Sequence, residues 1–348
     1  MNDPSYMLPM RSPVEKQSGF SLVELMVGLF IGGIVLFAMT VLFANNSRAR
    51  AQIDQSTQQI ENGRYALDVL RDDLHLAGYY GDVAPQQGYL TASGATSDPC
   101  ATTLGTAATN VQFNLSPLQW PVPVYGVASG DTAPTCVTGP GRKAGTDILV
   151  VRRTKTIPTT IATLNANKIY VQASGCNDEL KQHKDFVRDV GSNAGTFVLK
   201  KKGCGATADV YELQTRLYYV SDETIPTLRV LTISGTTSTN EPLVEGIEDM
   251  RVEYGRDIDS DGAADGYRKC LATGALPDPC TAAEWANMMA VRIFLLARNL
   301  NPESGYVDTK TYTLGSAAGV TVTPGDNYKR HQYEAVVRLM NPAGTRER

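Results

Sequence analysis

From residue 20 to Ala44 the chain is apolar apart from one charge, Glu24, and this stretch constrains everything else. As a helix, roughly 25 residues rising about 1.5 Å each reach about 37 Å, enough to cross the hydrocarbon of a bilayer with some tilt. The stretch therefore reads as a single membrane span. A carboxylate inside such a span costs on the order of 2.5–3.5 kcal/mol on insertion scales, so Glu24 calls for a partner. One partner is local: Ser21-x-x-Glu24 has the form of a capping box, and an acid is favoured at a helix N-terminus. A secretory signal peptide removed after the apolar run fits less well, because Phe43-Ala44-Asn45-Asn46 is not a small-x-small site and the helical pattern continues beyond it.

Gly19-Phe20 followed by Ser21-Leu22-Val23-Glu24-Leu25 resembles the signal of type IV prepilins. The resemblance implies that prepilin peptidase cuts after Gly19 and methylates the new terminal Phe20. The chemistry agrees independently. The cut leaves a cationic amine at the head of the helix, and Glu24 of an incoming subunit can pair with the amine of its neighbour. At about 4 Å and an effective dielectric near 20 such a pair gains roughly 4 kcal/mol, which offsets burial of the acid and sets the axial register of a filament. Gly28-x-x-x-Gly32 within the run would let helices approach closely.

Residues 1 to 19, with Pro4, Pro9, Pro13, Arg11 and Lys16, read as a leader to be removed, and 20 to 44 as the span. The helical signal then changes character. Ile53, Ile60, Leu67 and Leu74 recur every seven residues, with Gly63, Leu70 and Ala77 at three-residue offsets, and no proline intervenes before Gly78. Residues 45 to 78 are expected to continue the helix as an amphipathic half, with Arg64, Asp68, Arg71 and Asp72 off the stripe. Residues 79 to 145, rich in Gly, Pro, Ser and Thr, read as a variable loop region.

Residues 146 to 348 carry strand patterns at 146–155, 168–173, 196–202, 210–221, 227–234, 244–254, 289–298 and 332–340, with a short helix at 281–287. In the fourth of these, Tyr211, Leu213, Leu217 and Tyr219 alternate with Glu212, Gln214 and Arg216, which predicts one dry face and one wet one. The expected fold is α+β and type IV pilin-like, a long N-terminal helix packed on an antiparallel sheet lobe with long, disulfide-tethered loops. The order Gly246-Ile-Glu-Asp-Met-Arg-Val-Glu-Tyr-Gly255, an Asp-rich loop, Trp285 before Val291-Arg292, and Tyr328-Lys-Arg-His331 before a last strand is similar to that of PilW-type minor pilins.

Six cysteines, Cys100, Cys136, Cys176, Cys204, Cys270 and Cys280, all follow the span and include no C-x-x-C. Disulfides in an oxidising periplasm are expected rather than zinc. Six cysteines allow about fifteen connectivities, and the sequential pairs 100–136, 176–204 and 270–280 are the expectation that favours local loops.

One loop carries ligand chemistry. Asp257-Ile-Asp259-Ser-Asp261-Gly-Ala-Ala-Asp265 spaces its carboxylates like the start of an EF-hand loop, but Arg268 stands where the bidentate glutamate belongs. Calcium (Ca2+) and a solvated Asp-Gly turn both remain open.

A net charge of -4 gives no basic excess for nucleic acid, and Lys200-Lys201-Lys202 is too short a run to alter that. His75, His183 and His331 accompany no catalytic motif, and there is no Walker loop. No enzyme is expected. By resemblance the chain is a minor pilin that primes assembly and lies at the pilus tip, supporting twitching motility and adhesion. Its expected partners are prepilin peptidase, other minor pilins, the major pilin, the inner-membrane assembly platform and a tip adhesin. The expected location is the inner membrane with a periplasmic C-terminal domain, then the cell surface. A minor pseudopilin of type II secretion and a tip-located binding module are the alternatives.

Overall fold

A computed structural model describes residues 19, 21–81, 90–91, 99–100, 120–182, 184, 186–270, 280–316 and 319–346. The leader up to residue 18, Phe20, most of 82–119 and His183 lie outside the described residues. Helix α1 runs Leu22–His75. The chain divides into two compact units, 1–54 and 55–348. In the first, every described side chain but Gly32 is exposed, among them Leu22, Phe30, Phe37 and Phe43 at 70–77%. An apolar helix surface bare on all sides is what a membrane or a filament core would cover.

In the second unit the same helix becomes one-sided. Gln59, Gly63, Ala66, Leu67, Leu70, Asp73 and Leu74 are buried; Leu67 and Leu74 of the seven-residue recurrence lie in this stripe with Gly63 and Leu70, whereas Ile53 and Ile60 are 64% and 42% exposed. Gly63 admits the ring of Tyr333, which any Cβ there would strike. The helix closes at Gly78, whose φ of +74° suits a residue without a Cβ and whose N–H donates to Arg152 O at 2.9 Å.

The strands are β1 (Leu90–Thr91), β2 (Trp120–Pro121), β3 (Val124–Val127), β4 (Ile148–Thr154), β5 (Ile169–Ala173), β6 (Phe186–Val190), β7 (Val210–Val220), β8 (Thr227–Ser234), β9 (Thr237–Glu245), β10 (Ile247–Arg256), β11 (Gly266–Arg268), β12 (Met288–Arg298), β13 (Tyr312–Leu314), β14 (Val320–Val322) and β15 (Arg330–Arg338). Helices α2 (Asn177–Leu180), α3 (Ala282–Ala286) and α4 (Met340–Gly344) are short. β1 and β2 form a small parallel pair. The larger sheet is centred on β7, which pairs antiparallel with β4, β5 and β8; β3, β6 and β9 extend it. The smaller sheet has the order β11-β10-β12-β15, all antiparallel.

One core joins the helix to both sheets. Leu70 and Leu74 meet Leu149, Val151, Tyr218 and Val230 from the larger sheet and Met250, Val252, Val291 and Ile293 from the smaller. Trp285, on the predicted short helix α3, lies between Tyr125 and Tyr254 with ring centroids 4.8 Å from each. Thr281 and Glu284 cap that helix reciprocally. The hairpin β13–β14 covers the opposite face of the smaller sheet through Phe294, Leu296, Tyr312 and Leu314.

Three strand expectations are corrected. Residues 196–202 do not form a strand: the Gln172 amide takes their backbone, accepting from Leu199 N at 3.0 Å and donating to Leu199 O and Ala208 O. The stretch 244–254 is broken at Gly246 (φ +80°), and β9, a polar outer strand, precedes the break. The face of β7 that carries Arg216 and Tyr218 is not wet; it turns toward α1.

Candidate functional site: the head of helix α1 and its seat on the sheets

At the head of α1, Leu25 N donates to Ser21 O at 3.1 Å, closing the first turn. Ser21 N donates to Glu24 Oε2 at 3.4 Å, the half of a capping box in which the acid reaches back to the chain before the helix. Glu24 is otherwise exposed, one turn from the Gly19-Phe20 bond, on a helix end where partial positive charge favours an anion. Gly28, Gly32 and Gly33 have nothing within 4 Å of an added Cβ, so this side of the helix offers a smooth apolar surface.

The other end of α1 is fixed by a group that the sequence pattern does not single out. Asp73, with 2% of its side chain accessible, accepts from Arg153 Nε at 2.6 Å, Arg216 Nη1 at 2.7 Å and the Tyr218 hydroxyl at 2.9 Å. An acid in the last turn opposes the helix dipole, so two arginines of the larger sheet supply the compensation. Burial and the neighbouring Asp73 push the Tyr218 hydroxyl well above its ordinary range, which keeps it a donor. Gln59 adds a second tie, its amide donating to Ala297 O and Lys329 O at 2.9 Å each. The signal for Asp73 was its position three residues after Leu70 and four before Ala77, on the apolar stripe itself.

The cysteines are brought together in sequential order: Cys100 with Cys136, Cys176 with Cys204, and Cys270 with Cys280, 36, 28 and 10 residues apart.

The Asp-rich loop brings together three of its four acids. Ligand oxygens of Asp257, Asp259 and Asp265 lie within 4.8 Å of one another, and Asp261 is not of that group. The loop is stitched by its own carboxylates. Asp257 accepts from Ser260 N at 2.6 Å and Gly262 N at 3.0 Å, Asp265 from Ile258 N at 2.6 Å, and Asp261 from Ala263 N at 2.7 Å. The Arg346 guanidinium binds Asp257 and also Asn287 Oδ1. Burial would raise the Asp257 carboxyl, but Arg346 and the two N–H groups hold it below the usual range. A hard cation needs about six to eight oxygens, and here an arginine already uses the innermost carboxylate.

Comparison with known proteins agrees with this geometry. Residues 15–40 match the prokaryotic N-terminal methylation motif, the stretch that holds the Gly19-Phe20 bond, Glu24 and the start of the apolar helix. Residues 217–341, from the end of β7 into α4, match Type IV Pilus-assembly protein W, which bears out the resemblance to PilW-type pilins over that region. A type IV-like pilin from Thermus thermophilus aligns at 20% identity over 38% of this chain and 70% of its own, with a TM-score of 0.22. No curated protein matches the chain.

Proposed function

We propose that the chain is a minor pilin that primes assembly of a type IV pilus and remains at its tip. Residues 1–19 are the leader, 20–44 the filament-core segment, 45–78 the amphipathic continuation, 79–145 the variable region and 146–348 the outer domain. Prepilin peptidase cuts after Gly19 and methylates Phe20. Glu24 then pairs with the terminal amine of a neighbouring subunit, and the exposed apolar surface of residues 22–44 enters the filament. The outer domain, held by disulfides, faces the periplasm before assembly and the cell surface after it.

The observation that carries this reading is a bare apolar helix with one carboxylate, a turn away from a Gly-Phe bond inside a matched methylation motif. Twitching motility and surface adhesion follow from a priming role, through the filament that it starts. Intact mass of the protein extracted from membranes is expected to lack residues 1–19 and to carry one methyl group on Phe20. Glu24→Ala is expected to be processed normally but to be lost from sheared filaments. Retention of the leader, or equal incorporation of the variant, overturns the reading. Deletion of a primer abolishes surface filaments, whereas deletion of a pure adhesin leaves filaments that do not attach.

A further inference from the structure

β15 is an outer strand of the smaller sheet, paired with β12 along its length and with no strand paired on its other side among the described residues. Two bonds flanking the ladder fix its phase: Asn299 N to Lys329 O at 3.0 Å and Leu339 N to Met289 O at 2.8 Å. Odd-numbered residues between them turn their N–H and C=O toward β12, and even-numbered residues turn theirs away. Arg330 obeys this phase, since its carbonyl accepts from the Tyr312 hydroxyl at 3.3 Å, outside the ladder. Among the described residues, the backbone groups of Gln332, Glu334 and Val336 have no hydrogen-bond partner. Glu334 is exposed and Val336 is 51% exposed, whereas Gln332 is half-buried and its side-chain amide donates to Thr313 O at 2.9 Å, so the edge is most open from Glu334 onward.

The other long outer strand is built differently. β9 carries Glu241, Pro242 and Glu245, devices that discourage a foreign strand. β15 has no proline, glycine or lysine in Arg330-His-Gln-Tyr-Glu-Ala-Val-Val-Arg338. Asn62 on one flank of α1 donates to Glu245 O beside the start of β10, so the opposite flank of the helix faces the β15 side of the sheet. Helical spacing puts Ile60 and Arg64 together beside Gly63, whose neighbour is the Tyr333 ring, and the charge of Arg64 acts on that tyrosine's hydroxyl. Ile60 is 42% exposed and Arg64 is exposed.

We propose that β15 accepts an extended segment of another polypeptide as an added strand, with an apolar residue under Ile60 and an acidic residue facing Arg64. Backbone bonds to Gln332, Glu334 and Val336 supply the attachment, and the helix flank supplies the choice of side chains. A second copy of this strand is a poor occupant, because full-length antiparallel self-pairing sets Glu334 against Glu334 and Arg330 against Arg338.

The test is residue-resolved amide exchange on the full chain in detergent micelles. The probe is a synthetic nonapeptide of alternating valine and threonine bearing one aspartate. Without peptide, the amides of Gln332, Glu334 and Val336 are expected to exchange at least about tenfold faster than those of Tyr333, Ala335 and Val337; with it, they gain protection of similar size. Val336→Pro, which removes only an outward N–H, is expected to abolish the gain. Arg64→Glu, a surface change that leaves the strand intact, is expected to reverse the preference toward a peptide with lysine in place of aspartate. Outward amides that are already slow in the protein alone, no gain with either peptide, or protection that tracks dimerisation of the chain by itself would each overturn the proposal.

Discussion

Asparagine in place of Asp73 tests whether the seat of α1 is electrostatic. The substitution keeps the shape but leaves Arg153 and Arg216 facing a neutral amide. Breaking a buried ion pair by removing one partner costs about 3–5 kcal/mol. The arginine side chains here keep 13% and 21% of their surface in water, which returns part of the loss, so the expected cost is near the lower end, about 3 kcal/mol. Relief of the acid from the last helical turn returns only about 0.5 kcal/mol, too little to change the sign. At about 2.1 cal/mol/K per residue, a folded unit the size of residues 55–348 loses roughly 1.6 °C of Tm per kcal/mol, so a fall of about 5 °C is expected. Thermal unfolding of the full chain in detergent, followed by near-ultraviolet circular dichroism, measures it. Adding Arg216→Met to Asp73→Asn removes one of the two uncompensated cations and is expected to recover part of the loss. An Asp73→Asn protein within about 1 kcal/mol of wild type, or a double variant no more stable than the single one, refutes the reasoning.

Asp249 is pushed up to about 6 by burial, against the opposing pull of Arg251, with Asp147 and Lys143 also acting on it. A carboxyl that holds its proton more tightly when folded lowers stability as pH rises from about 4 through 6, so a decline on the order of 1–3 kcal/mol is expected across that window. Glu212, Glu248 and Asp257 are held low instead, so their stabilisation still rises with pH up to about 5, and the decline due to Asp249 stands alone from about 5 to 6. Urea titrations should find a flatter profile in Asp249→Asn, and stability that climbs over that last interval contradicts the assignment. Calcium is expected to leave Tm unchanged, because Arg346 already occupies Asp257. A rise of several degrees refutes this, since a ligand at about 100 times its Kd adds about 2.7 kcal/mol.

The parts of this protein that could be read from sequence are those governed by repeating patterns. The seven-residue recurrence gave the buried stripe of α1 from Gly63 onward but not at Ile53 and Ile60, which are exposed, and Gly78 gave its end. Strand-forming runs gave β4, β5 and β8, and alternation gave β12. What escaped were places where a side chain does the work of a backbone or of a partner far along the chain. Gln172 substitutes for a strand neighbour at Leu199, so an alternating segment never joins a sheet. Arg216 looked solvent-facing because its alternation partners are apolar, yet it points inward to neutralise an acid that lies 143 residues earlier. β9 was missed for the opposite reason: as an outer strand it needs little apolar surface. At the head of α1 the motif was legible because its chemistry is local, confined to one turn around Glu24. The Asp-rich loop showed its spacing but not its occupant, since Arg346 comes from the far end of the chain.

The three disulfides close only local loops, and none of their cysteines lies on α1. Tension applied to the helix at Gln55 therefore has no covalent short cut into the sheets. It passes through the Asp73 ion pairs, the Gln59 amide and the packing of Gly63 on Tyr333, so the speed with which the lobe yields to a pull is governed by those contacts, and reducing the disulfides would leave that route untouched.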